Sequence, residues 1–518
     1  MGMRKTALSG IFLISGLLSI QAQSTTSSPS SNSFWIVLIV VVLAALGLLG
    51  DLFYRKGSKA PSYTGGGKFV GLQKGFNLNI QGAASSKIVE GGQVTRFAVI
   101  PPNFRGISPI PKMEVNEGDE VKAGDPLFHD KNDESIKYVA PVSGEVIAIN
   151  RGEKRSIAEV VILADKDQKY RELPALDLQK SDRASIISYL KSSGFWPLIN
   201  QRPFDVIADP EVTPKNIFIS TFDTAPLAPD LNLVVEGQEA AFQQGLDVLS
   251  KLTDGKVYLG LNANGSQAPN KAFTGAQHVE KTWFKGIHPA GNVGIQMHHT
   301  APIKNGDVVW TLGVQEVITL GKLILDRHMD MGRVVVICGS EVKDPHYVRT
   351  VVGANIGELL AGSLTDTHSR IISGDVLTGE AKKPEGFLNI HDDQVTVIPE
   401  GDYYDTFGWL VPGKAIPSLS KTYFNSWVDH KAYNVDTNTH GEKRALVVTG
   451  QYEKVLPMDI YPQHLIKSIL AGDLESMEGL GILELSEEDL ALCEYVCTSK
   501  SPVQKILREG LNAIREQG

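Results

Sequence analysis

Val115-Asn116-Glu117-Gly118-Asp119-Glu120-Val121-Lys122-Ala123-Gly124-Asp125-Pro126-Leu127 holds two Gly-Asp pairs, each followed at strand spacing by an apolar residue. Val139-Ala140-Pro141-Val142-Ser143-Gly144-Glu145-Val146 repeats the turn and the strand. Turn signals at this density predict a module of short, tightly connected strands. Further along, the pattern changes. Asn216 to Ser220, Lys256 to Leu261, Asp307 to Leu312 and Arg333 to Cys338 read as strands, with helices between them at Glu239 to Leu252 and Val314 to Leu325. In the first of these helices Phe242, Leu246 and Leu249 share one face. Alternation of this kind predicts an open α/β, Rossmann-like sheet over 166–345.

The first two stretches resemble the lipoyl/biotinyl barrel-sandwich family, whose pattern runs EGD, V, GD, L and then AP, G, V. The resemblance implies a swinging arm on a lysine at the hairpin tip between the two halves. Here the tip reads His129-Asp130-Lys131-Asn132-Asp133-Glu134-Ser135-Ile136-Lys137, with no Met-Lys-Met or Asp-Lys-Ala tripeptide. Neither Lys131 nor Lys137 stands at the family's offset. An unmodified structural barrel over 66–165 is expected. A carrier function would require added mass on one of those lysines.

The 518 residues suffice for about three domains. Hydrophobic residues make up 42% and charged residues 21%, which excludes a disordered or polytopic chain. The net charge of −9 argues against a nucleic-acid partner. The 3 cysteines, Cys338, Cys493 and Cys497, are too few for a disulfide scaffold or a four-cysteine cluster.

Two apolar segments open the chain. Arg4 and Lys5 precede Ala7 to Ile20, and Ala22 offers a small residue for cleavage, so 1–22 reads as a signal peptide. A Ser/Thr-rich linker fills 23–33, and 34–54 is long enough to span a bilayer. Trp35 and Tyr54 sit at its two interfaces, and Arg55, Lys56 and Lys59 follow. Those cations place the remainder of the chain in the cytoplasm, on a single-pass anchor in the inner membrane. An uncleaved hairpin of two helices gives the same orientation. Asp51, near the end of the span, reads as a solvated helix-end charge.

The loops at the strand ends lack nucleotide signatures. Gly260-Leu261-Asn262-Ala263-Asn264-Gly265 has the wrong spacing for a dinucleotide fingerprint, and there is no P-loop. His298 and His299 follow the loop His288-Pro289-Ala290-Gly291. On a strand they would point apart, which argues against a shared metal. Val352 to Leu359 with Ile372 to Val376 resembles a small β-grasp (SLBB-like) module, placed at 346–400, after which 401–450 is expected to return to the α/β core. The segment 451–518 reads as helical, with capping starts at Ser486 and Ser501. Val503, Ile506, Leu507, Leu511 and Ile514 form one apolar face. Cys493 and Cys497 are expected on one face of the preceding helix as buried thiols.

This order of parts, from about Lys68 to the C-terminus, resembles the NqrA family, one of the component chains of the sodium-translocating NADH:quinone oxidoreductase. Blocks that carry the likeness include Gly66 to Gly82, Asn150 to Arg155, His288 to Gly291, Phe407 to Leu410, Tyr452 to Ile460 and Glu487 to Cys493. The resemblance implies a six-subunit membrane complex that passes electrons from NADH to a quinone and exports sodium, with FAD, FMN, riboflavin and iron–sulfur centres in the other five subunits. It also implies a distant relation to the NADH- and FMN-binding subunit of respiratory complex I and to its Rnf counterpart. The Gly-rich flavin loop and cluster cysteines of those relatives are missing here. A cofactor-free structural subunit is therefore expected, with no catalytic residue and no metal ligand. The alternative is a redox subunit that binds quinone or flavin itself, for which Phe407, Trp409 and Tyr452 would supply an aromatic pocket.

Overall fold

The computed structural model describes residues 65–91, 94–107, 110–366, 368–408, 416–423 and 431–517. The signal segment, the linker, the span at 34–54, Asp51 and Trp409 lie outside the described residues. Among the described residues no helix is long and apolar enough to cross a membrane.

The two Gly-Asp pairs build the barrel for a specific reason. Gly118 and Gly124 adopt φ of +88° and +89°, a region that disfavours side chains. Asp119 and Asp125 then accept hydrogen bonds from the backbone N–H of Asn116 (2.7 Å) and Lys122 (2.8 Å), closing each turn. Before the barrel come β1 (Lys68–Gly71) and β2 (Ile88–Glu90). The barrel itself comprises β3 (Arg96–Val99), β4 (Lys112–Met113), β5 (Glu120–Val121), β6 (Pro126–His129), β7 (Lys137–Val139), β8 (Gly144–Arg151) and β9 (Ile157–Ala164). They form two sheets, β3-β9-β8-β5 and β4-β6-β7, over a core that includes Leu127, Phe128, Val146 and Ile162. The strands of these two sheets lie between Arg96 and Ala164. Residues 66–91 instead reach across the molecule: β1 pairs in parallel with Glu280–Lys285, and β2 with His346–Val351.

The α/β domain begins with α1 (Arg183–Ser193) and contains β10 (Asn200–Arg202), β11 (Val206–Ile207), β12 (Asn216–Ser220), α2 (Glu239–Ser250), β13 (Val257–Asn262), β14 (Glu280–Lys285), α3 (Val293–Thr300), β15 (Val309–Thr311) and α4 (Val314–Asp326). Its sheet order is β1-β14-β13-β12-β15-β10-β11, parallel from β1 to β15, with β10 and β11 antiparallel at the far edge. The chain leaves β12 toward β13 and returns on its other side as β15, so the strand order reverses between β12 and β15. Helices α2 and α4 lie close enough that a methyl at Gly245 or Gly321 would overlap the backbone of Val317 or Ala241. Phe242, Leu246 and Leu249 are all fully buried beneath them.

The strand read over Arg333 to Cys338 forms as β16 (Gly332–Cys338), but in a different sheet. With β17 (His346–Val351), β18 (Ser369–Ser373), β19 (Glu380–Lys382) and β20 (Gln394–Pro399) it builds a second sheet of order β19-β18-β20-β16-β17-β2. Its β-branched run fits either sheet, and the pairing with β17 and β20 decides. The expected return to the α/β core over 401–450 is also corrected. The described residues there join none of the sheets and make one isolated bridge, Tyr433 with Ile80. The C-terminal segment is helical and includes α5 (Pro462–Ala471), α6 (Glu487–Tyr495) and α7 (Val503–Gln517). The apolar face of α7 is buried as expected, while Cys497 lies past the end of α6 rather than on it.

Candidate functional site: an acidic cleft at the strand ends

Open α/β sheets bind ligands outside the carboxyl ends of the strands, where the strand order reverses. A cavity of about 930 Å³ occupies that place. Its walls come from three domains. Asp223 and His288 follow β12 and β14, Asn292 and Glu316 stand at the starts of α3 and α4, Asp375 and Asp392 come from the second sheet, and Glu488 and Arg508 from the C-terminal helices.

The lining holds ten carboxylates and four cationic side chains. The cations are already engaged. Arg202 donates to Asp489 and Glu488 at 2.8 Å each, Arg508 to Glu487 at 2.5 Å and 2.7 Å, and Arg105 to Asp205 at 2.5 Å. The fourth, Lys505, lies 4.0 Å from Glu509 on the same helix. Behind the wall, Arg333 bridges Glu316 and Asp393 at 2.5 Å each and ties α4 to the second sheet. Asp223, Asp375 and Asp392 are held by hydrogen bonds from Ala225, Leu377, Thr378, Ser373 and Asn389. Burial pushes the pKa of all three up. Burial also lifts Asp393 to about 6 against the pull of Arg333, and depresses His288 to about 4. Glu488 is raised to about 8 by burial and then by the charge of Asp489.

A flavin or nicotinamide nucleotide in such a cleft rests its phosphate on a helix start, supported by free cations and a close-approaching glycine backbone. The residues here do not fit that group. Glu316 packs over Gly313 at the start of α4, and Asp489 lies against Gly294 in the first turn of α3, so each helix start already faces a carboxylate of the chain itself. On the loop after β10, Phe204 and Asp205 sit at φ of +82° and +50°, a region glycine adopts more readily. Asp205 is tied there to Arg105, and the carbonyl of Phe204 accepts from Arg508 at 2.7 Å.

The other residues weighed from the sequence fall elsewhere. His298 and His299 lie on helix α3, not on a strand, and both join that helix to the C-terminal domain. His298 pairs with Glu484 at 2.8 Å and accepts from the backbone of Asp459 at 3.1 Å, while His299 reaches the carbonyl of Pro457 at 2.7 Å. Among the described residues no group of three donor side chains is placed to hold a metal. Lys137 donates to Glu114 at 2.6 Å, an oxygen that His129 shares at 2.6 Å, and Lys131 is exposed on the turn. Phe407 is 67% exposed whereas Tyr452 is 1% exposed and donates to the thiol of Cys497 at 3.0 Å, so the two do not line one pocket. Cys338 and Cys493 are buried, which raises both thiols, Cys338 to about 12. Sequence reading missed the cleft. Its one local signal was the block Glu487 to Cys493, whose acidic start supplies Glu488 and Asp489.

Family models match three parts of the chain: the NqrA N-terminal barrel-sandwich hybrid domain at 70–165, the NqrA second alpha/beta domain at 181–329 and the NQRA C-terminal domain at 334–383. The chain is 40% identical over 453 residues to the NqrA component of the Na(+)-translocating NADH-quinone reductase of Alcanivorax borkumensis, covering 87% of this chain and all of that one. The corresponding protein of Vibrio vulnificus is 39% identical over 452 residues, with the same coverage. Among solved structures, a chain of an NAD+-reducing [NiFe]-hydrogenase aligns over 36% of this chain and 41% of its own, at 12% identity and a TM-score of 0.28, too low to bear on the fold.

Proposed function

Because the chain belongs to the NqrA family of the Na(+)-translocating NADH-quinone reductases, we propose that it serves that complex as a cofactor-free assembly component. The complex couples NADH oxidation and quinone reduction to Na+ export, and this chain contributes to it as an enzyme subunit without carrying out an electron-transfer step alone. The observation that carries the cofactor-free part is the cleft. Its cations are paired, its ten carboxylates outnumber its four cationic side chains, and both helix starts face internal carboxylates. Such a surface repels a nucleotide phosphate.

The flavins, the iron–sulfur centres and the quinone site then reside on the other five subunits. The body from about residue 65 lies at the cytoplasmic face of the inner membrane, and 34–54 anchors it there. Tethering raises its effective concentration at its partners.

The test is to purify the complex from native membranes in mild detergent, separate this chain, and measure flavin and quinone in each fraction. A colourless chain and flavin in the remaining subunits is the expected result. Stoichiometric flavin or quinone retained by the chain overturns the cofactor-free reading. Deleting residues 1–60 should weaken retention in the complex without unfolding the body, and equal retention would remove the anchor from the proposal.

A further inference from the structure

Arg202 ends β10 with only 2% of its surface exposed, and its Nε carries no hydrogen bond. Its Nη1 donates to Asp489 Oδ2 at 2.8 Å. Asp489 stands in the first turn of α6, where the same oxygen accepts from the backbone of Ser486 at 2.9 Å and closes a capping box. The other oxygen, Oδ1, is buried without a hydrogen bond. The carboxylate lies directly on Gly294, where any side chain would overlap it. Helix α3 starts at that point, its N-cap Asn292 makes no capping bond with its own side chain, and that side chain donates instead to the carbonyl of Glu488 at 3.0 Å.

Taken without Asp489, this corner of the α/β domain has the parts of an oxyanion site. It has a buried guanidinium whose Nη2 stays on Glu488 at 2.8 Å and whose Nε lies 3.9 Å from Asp205, but whose Nη1 is released; the start of an eight-residue helix whose first N–H groups lack intrahelical partners; and a glycine that lets an anion approach the backbone. We infer that it is a latent oxyanion seat, of the class that holds a phosphate or carboxylate, filled in cis by Asp489 so that the C-terminal helical domain docks as an internal ligand. The docking is reinforced on the same helix by the His298–Glu484 and His299–Pro457 contacts. The inference deepens the cofactor-free reading, since the seat is one of the helix starts that reading finds already facing an internal carboxylate. The two are separable, because flavin content of the complex tests that reading whatever happens at Asp489.

The experiment uses the full chain with Asp489→Gly and, as probe, inorganic phosphate against chloride at matched ionic strength. Emptying the seat should lower Tm, and phosphate should raise it again by several degrees and saturably, while the parent responds to phosphate no more than to chloride. Adding Arg202→Met to Asp489→Gly should abolish the response. A folded Asp489→Gly chain that responds to phosphate no more than the parent overturns the inference, as does a response that survives Arg202→Met. Asp489→Ser, which keeps a hydroxyl for the capping box, serves if the glycine variant does not fold. If neither folds in phosphate-free buffer, refolding yield is compared with and without phosphate. A higher yield in phosphate supports the seat, and equal yields overturn it.

Discussion

The barrel hairpin and the α/β cleft are the two places where folds of these kinds hold a prosthetic group, and in this chain ion pairs occupy both. At the hairpin the pairing is local. Lys137, Glu114 and His129 lie within 23 residues, and about a quarter of the Lys137 and Glu114 side chains is exposed. In the cleft Arg202 and Asp489 are 287 residues apart and almost fully buried. A partly exposed local pair costs less to form and contributes less to stability. A buried distant pair can hold two domains together, because breaking it strands a charge out of water.

The largest test of that contrast is Arg202→Ala, which leaves Asp489 buried without its partner. It is expected to cost about 3–5 kcal/mol in urea unfolding. A loss below about 1 kcal/mol would place the cleft pair on the same footing as the hairpin pair. Next is Gly294→Ala. The added methyl must displace the Asp489 carboxylate, at an expected cost of about 1–3 kcal/mol, with faster proteolysis between the α/β and C-terminal domains as the local readout. Glu114→Gln at the hairpin should change stability by less than about 1 kcal/mol. Intact-mass measurement should show Lys131 and Lys137 unmodified.

The smallest effect sharpens the electrostatics of the cleft. Asp393 has a folded pKa of about 6, above its ordinary value, so its contribution to stability is present below about pH 4 and is lost as pH rises through about 6. His288, depressed to about 4, acts in the opposite sense, and its contribution is lost as pH falls from about 6.5 toward 4. Asp393→Asn should therefore steepen the rise of stability with pH between about 4 and 6, measured by denaturation at several pH values. An unchanged slope would mean that Asp393 does not titrate in that window.

Much of the fold was legible because its signals are short-range. The Gly-Asp turns identify the barrel through two backbone conformations and two aspartate hydrogen bonds, all within a few residues. The apolar periods of α2 and α7 likewise name their own buried faces. Three readings missed for one reason. Lys68 to Gly71 is too short to show alternation and becomes a strand because Glu280–Lys285 offers it an edge. The run ending in Cys338 suits any buried strand, and its neighbours assign it to the second sheet. His298 and His299 sit on a helix started at Asn292 and covered by the C-terminal domain, a context that two adjacent letters do not contain.

The candidate site was less legible still. Its residues are ordinary aspartates, glutamates and arginines from three separate domains, with no spacing that joins them. The sequence by itself determined the module order, the family and the lack of a nucleotide loop, because turns, helix faces and glycine runs act over a few bonds. Only the tertiary structure decided that the cleft is acidic, that Arg202 meets Asp489 and that the start of α3 faces an internal carboxylate. Those facts depend on which distant charges folding brings into one poorly solvated volume, where each must find a partner or lose its charge.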